Sequence, residues 1–213
     1  MSNHELIHPE LADVHVAEDS EDLTRSDVIL KGALAAGAVY GMVMVGPFVK
    51  KALAMSEGGD VGILNFALTL EYLESTFYEE AKKRAKPNRE LTELIDLIAE
   101  DEKQHVEALT ATIKQLGGKS VKAPKATFPY KDTAGFLKLA QTFEDTGVSA
   151  YNGAAPSIKS KDLLATAGSI VQVEARHAAA IRLQNSAPPA PVAFDPSLSQ
   201  SQVLKAVQPF ITS

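Results

Sequence analysis

The chain has 213 residues, enough for one sizeable core with extensions. Its net charge of −6 leaves no basic footprint, which argues against nucleic acid as a partner. It contains no cysteine, so disulfides, thiolate metal sites and a cysteine nucleophile are excluded, and any metal must take oxygen and imidazole ligands.

Residues 1–27 are rich in acids, among them Glu18, Asp19, Glu21 and Asp22, and poor in large apolar groups. They read as a solvated, disordered tail, with His4, His8 and His15 as mobile residues rather than ligands. Residues 28–54 read as an apolar helix. Their Ala- and Gly-rich run from 32 to 49 is near the minimum for a membrane span and is followed by Lys50-Lys51 and a small-x-small site at Ala52–Ala54. Thr24 to Lys31 is similar to a twin-arginine export motif, although Ser26 stands where the second arginine belongs. Three readings stay open for this segment: a cleaved export signal, a retained membrane anchor, or a helix packed in an assembly. An exported, periplasmic or membrane-associated location is therefore favoured over a plainly cytoplasmic one. Contact with a membrane or with other copies of the chain would run through residues 32–49.

Four amphipathic helices are expected next. Asp60 suits an N-cap, and Leu64, Ala67, Glu71, Glu74 and Tyr78 recur at three- and four-residue steps up to a basic end at Lys82, Lys83 and Arg84. Pro87 forces a turn. The second helix runs from about Arg89 to Leu116, with Leu91, Leu94, Ile98, Glu102, His105, Leu109, Thr112 and Leu116 as a heptad stripe and Gly117-Gly118 as its stop. Lys119–Lys131, with Pro124 and Pro129, is a long crossover. Asp132 caps a third helix that turns Phe136, Leu137, Ala140, Glu144, Gly147 and Tyr151 inward. Asp162 starts a fourth, with Leu163, Ala167, Ile170, Glu174, His177 and Ile181 inward. Residues 187–213 form a Pro-rich tail in which 199–207 suits one short helix. No period-2 alternation suggests a strand. The expected fold is all-α, a four-helix bundle over residues 55–186 with a long crossover between helices 2 and 3 and an extra N-terminal apolar helix.

Within the bundle one pattern occurs twice. Glu71 is followed by Tyr78 and then by Glu102-x-x-His105; Glu144 is followed by Tyr151 and then by Glu174-x-x-His177. The second copy trails the first by 73 residues at the leading Glu and by 72 at the ExxH. Residues i and i+3 share a helix face, so each ExxH can grip one ion. A buried ionised carboxylate is costly unless compensated, and two divalent cations would balance four of them. The only histidines outside the acidic tail are the two in this pattern. A carboxylate-rich site with two imidazoles suits two iron or two manganese ions better than structural zinc. Tyr78 and Tyr151 are placed to hydrogen-bond the ligands. Glu74, one turn from Glu71, is an alternative ligand, although only Glu71 keeps the spacing of the second copy. Glu100, Asp101, Glu107 and Asp145 read as a solvated outer face, and Arg176 and Arg182 as surface or ion-paired residues.

Ile63–Glu74 with Phe77-Tyr78, Gln141–Tyr151, Val173–Arg182, Phe194–Leu198 and Pro209–Ile211 together resemble the ferritin-like, desiccation-related proteins of bacteria and plants. The resemblance runs from about Asp60 to Ile211. It implies a bundle with a carboxylate-bridged di-iron or di-manganese centre whose ligands fall on Glu71, Glu102, His105, Glu144, Glu174 and His177. It also implies a role in stress or desiccation protection. The expected chemistry is oxidation of Fe(II), or disposal of peroxide, with O2 or peroxide as substrate and Glu102 and Glu174 as the bridging carboxylates. The rival reading is a structural or assembly protein that keeps the bundle and docks through its N-terminal apolar helix. A cage-forming metal store is a third.

Overall fold

Why the chain folds into two hairpins rather than a simple meander is visible in where its crossover runs. The structure, a computed structural model, describes residues 58–212. The acidic tail of residues 1–27 and the apolar segment of 28–54, with every expectation attached to them, lie outside the described residues. Four long helices carry the fold: α1 (Gly59–Arg84), α2 (Arg89–Gln115), α3 (Thr133–Ala154) and α4 (Lys161–Gln184). A short α5 (Gln200–Val207) follows. Among the described residues there is no strand, only one isolated bridge between Ala126 and Ile211. No helix among them is long and apolar enough to cross a membrane.

The crossover between α2 and α3 tracks the whole length of α1. At its start Lys119 O accepts from Asn65 Nδ2 (3.1 Å), and the Val121 N–H donates to Asn65 Oδ1 (2.7 Å). At its end Arg84 donates to Tyr130 O (2.9 Å), and Thr133 Oγ1 donates to Ala85 O (2.7 Å). So α3 begins beside the end of α1, runs antiparallel to it, and returns through α4. Two antiparallel hairpins face each other, α1 with α2 and α3 with α4.

The helix ends follow the chemistry of their caps. Asn88, Asp132 and Ser160 each accept from the backbone N–H three residues on. The stop expected at Gly117-Gly118 is present and takes Schellman form: Gly117 has φ +73° and the Gly118 N–H donates to Ile113 O (2.9 Å). Two expectations are corrected at the starts. Asp60 lies inside the first turn of α1, where Gly58 is the cap, and its carboxylate instead accepts from the N–H groups of Lys159 (2.8 Å) and Ser160 (3.1 Å). That ties the start of α1 to the α3–α4 turn. Ser160, one residue before the α4 helix proper, takes the capping role, and Asp162 sits in the first turn.

The stripe on α2 is also corrected. Ile95 and Ile113 are buried, whereas Leu116 is exposed and Leu94 only partly buried. A strict seven-residue repeat drifts by about 20° per heptad on a straight α-helix, so the buried face rotates away from the a/d positions over the length of α2.

The larger apolar cluster lies at the α1–α3 end, around Phe77, which packs on Phe136 (5.1 Å), Phe143 (5.0 Å), Phe128 (5.1 Å) and Tyr78 (5.2 Å). The C-terminal segment belongs to it. Leu198, Val203, Leu204, Val207 and Phe210 are buried there, and the Leu198 N–H donates to Ser149 O (2.9 Å). At Gly153 the backbone of Leu198 approaches α3 so closely that no Cβ fits. A second cluster, with Leu64, Leu68, Leu109, Ile113 and Ile170, closes the other end. The polar residues of the repeated pattern lie between the two.

Candidate metal centre

Each long helix delivers acid to the bundle centre from its buried face. Glu71, Glu74 and Tyr78 come from α1, Glu102 and His105 from α2, Glu144 and Tyr151 from α3, and Glu174 and His177 from α4. Glu71, Glu102, Glu144 and Glu174 are all fully buried, with His105 9% and His177 3% exposed.

Two four-residue groups have one ligand atom each within 4.8 Å of one another: Glu71, Glu102, His105 and Glu174, and Glu102, Glu144, Glu174 and His177. Glu102 and Glu174 belong to both. His105 Nδ1 lies 3.2 Å from Glu71, 3.3 Å from Glu102 and 3.0 Å from Glu174. His177 Nδ1 lies 3.0 Å from Glu102 and 3.6 Å from Glu144.

The tyrosines cross between the hairpins. Tyr78 of the first donates to Glu144 of the second, and Tyr151 of the second donates to Glu71 of the first. Burial, followed by the neighbouring carboxylates, pushes both phenols above their usual range, so they remain neutral donors.

The electrostatics show what the cluster needs. Burial raises Glu102 and Glu174 to about 8. Burial likewise holds Glu144 and Glu74 well above the ordinary carboxylate range. For His105 burial favours the neutral ring, but the adjacent carboxylates of Glu102, Glu174 and Glu71 outweigh it and push the group up to about 12. The packed carboxylates thus demand positive charge. Glu102 Oε1, Glu144 Oε2, both Glu174 oxygens and His177 Nδ1 are buried and make no hydrogen bond despite their proximity. Orphaned acceptors aimed at one another are costly in a dry core and are the donor set a divalent cation would satisfy. The residues therefore fit a metal site.

All six expected ligands and both tyrosines come together. Two residues depart from expectation. Asp101, assigned to the solvated face, accepts a hydrogen bond at 3.1 Å from His177 Nε2 across the α2–α4 interface. Asp145, assigned to the same face, is largely buried and paired with Arg182. Glu74 is fully enclosed, and its Oε1 lies against Gly147, where an added Cβ would stand only 3.1 Å away. The sequence signal for Asp101 was its place one residue before an ExxH, on the flank of the ligand face. The Glu74–Gly147 fit leaves no signal until the two helices are set side by side.

Residues 59–186 match the ferritin-like domain family, and the chain belongs to it. Among solved structures, a conserved hypothetical protein, rv2844, of Mycobacterium tuberculosis is similar in fold, with a TM-score of 0.54 at 16% identity. The match covers 59% of this chain and 96% of that one. No curated protein matches the sequence.

Proposed function

We propose that the bundle centre holds two iron or two manganese ions, Glu71 and His105 serving one, Glu144 and His177 the other, and Glu102 and Glu174 bridging them. The observation that supports this is the shared membership of Glu102 and Glu174 in two overlapping, buried four-ligand groups. Such a centre, when loaded, supplies one-electron redox chemistry toward O2 or peroxide. The function that follows is oxidation of Fe(II), or disposal of peroxide, in stress or desiccation protection.

The chain's own residues set the conditions. The two apolar clusters keep bulk water from the carboxylates, which strengthens their attraction for cations. Tyr78 and Tyr151 each hold one carboxylate in place from the opposite hairpin, leaving its other oxygen for a cation. His105 and its carboxylate neighbours must give up protons as cations arrive, so uptake is accompanied by proton release. A bundle kept only for assembly would be served better by apolar side chains at these positions, because replacing buried ionic groups by well-packed apolar ones is commonly neutral or stabilising.

The deciding experiment is elemental analysis of protein purified without chelator, beside its Glu102→Ala variant. Two ions of iron or manganese per chain, falling to one or none in the variant, are expected. Less than one ion per chain in the unmodified protein, with no change in the variant, overturns the reading.

A further inference from the structure

The duplicated pattern is not symmetric behind its histidines. His177 turns Nδ1 into the cluster and donates Nε2–H to Asp101. His105 also turns Nδ1 into the cluster, but among the described residues no group hydrogen-bonds its Nε2. The sequence explains the difference. Asp101 precedes Glu102 by one residue, and the residue that precedes Glu174 is Val173. With the 72-residue offset, Val173 stands to His105 as Asp101 stands to His177, and an isopropyl group accepts no proton.

A carboxylate behind an imidazole fixes the tautomer, orients the ring and raises the basicity of the nitrogen that faces the cation. Only the His177 side has this support. That side is also the more enclosed, the His177 side chain being 3% exposed against 11% for His105. From Asp101, Val173 and these two ring environments we infer that the two metal positions are inequivalent. The Glu144/His177 position retains its ion, the Glu71/His105 position exchanges it, and Asp101 is the positioning residue that makes the difference. The inference rests on the dinuclear reading above.

The test is titration of the chelator-stripped full chain with Mn(II), followed by calorimetry and by the electron paramagnetic resonance of free Mn(II). The unmodified protein should bind two ions in separate steps. Asp101→Ala should weaken the tighter step by roughly 10- to 100-fold and leave the weaker one nearly unchanged. Val173→Asp should tighten the weaker step and bring the two together. A readout independent of metal is proton–nitrogen NMR of the stripped protein. His177 Nε2–H should give a slowly exchanging downfield signal that disappears in Asp101→Ala, with no such signal from His105. Two equal steps that Asp101→Ala leaves equal overturn the inequivalence while leaving the dinuclear centre standing. A protein that takes up no Mn(II) overturns both.

Discussion

The first hairpin, α1–α2, and the second, α3–α4, present the same Glu and His residues and yet are built differently around them. Glu71 and Glu144, Glu102 and Glu174, and His105 and His177 correspond, and each hairpin sends one tyrosine to the other's glutamate. Elsewhere the correspondence fails in a complementary way. Glu74 on α1 corresponds to Gly147 on α3, and the carboxylate of the one occupies the space left by the other. Glu80 on α1 corresponds to Gly153 on α3; the first pairs with Arg84 at the surface and the second lies under the backbone of Leu198. The lesson is that the repeat preserves the Glu/His cluster while one hairpin supplies groups and the other makes room for them.

Four measurements can break or sharpen that contrast. The largest effect is expected at the Glu80/Gly153 pair. Gly153→Ala pushes a methyl into the Leu198 carbonyl, where neither backbone can yield, and should cost about 3 kcal/mol or prevent folding. Glu80→Ala should cost under about 0.5 kcal/mol, because its salt bridge is exposed. Denaturant titration of both variants checks this, and equal losses would remove the contrast.

Next comes the pH dependence of the metal-free protein. Glu102 and Glu174 keep their protons in the folded state up to about 8, against an ordinary value of 4.5. Between those values the folded state binds more protons than the unfolded one, so stability falls as pH rises through that window. His105 acts in the same direction, because the folded protein holds its proton from the ordinary 6.5 up to about 12. With chelator present, Tm should drop by roughly 5 °C or more between the two ends of the carboxylate window. Bound ions should abolish that drop. Glu102→Gln and Glu174→Gln should each flatten the slope by a similar share, since one of these two acids comes from each hairpin. A flat profile in the stripped, unmodified protein would contradict the electrostatic account.

A smaller effect is expected at Gly147. An alanine there would crowd the Glu74 carboxylate, and that flexible side chain can shift, so the loss should be about 1–2 kcal/mol. In a double-mutant cycle, Glu74→Ala should absorb most of the cost of Gly147→Ala, giving a coupling of about 1 kcal/mol. Additive losses would mean that the two helices do not interlock at this point.

The smallest effects belong to the crossed tyrosines. Tyr78→Phe and Tyr151→Phe each remove one hydrogen bond to a buried carboxylate and should each cost about 1 kcal/mol. Thermal melts showing similar losses would support the two-fold relation between hairpins, and a large difference would sharpen where it fails.

Much of this was legible in the residues. Helical period placed the four glutamates and two histidines on inner faces, because an α-helix repeats its face every three to four residues whatever its neighbours do. Asp132 and Gly117 marked boundaries through local backbone chemistry, which needs no tertiary context. The duplicated Glu-Tyr-ExxH pattern identified the candidate site for the same reason: spacing along a helix is spacing in space.

What the residues did not reveal depends on which helix faces which. Asp101 looked like one more exposed acid until α4 brought His177 to it. Glu74 was legible as an inward acid, but the space it fills beside Gly147 appeared only when α3 was set against α1. The tyrosines were expected to serve ligands, but their crossing between hairpins follows only from the antiparallel run of α1 and α3, set by a crossover that clings to α1. Sequence alone determined the all-α class, the helices and the chemical character of their common face. Tertiary structure decided which tyrosine reaches which glutamate, which histidine has a carboxylate behind it and where the second hairpin makes room for the first, because those are relations between surfaces that periodicity along one helix cannot encode.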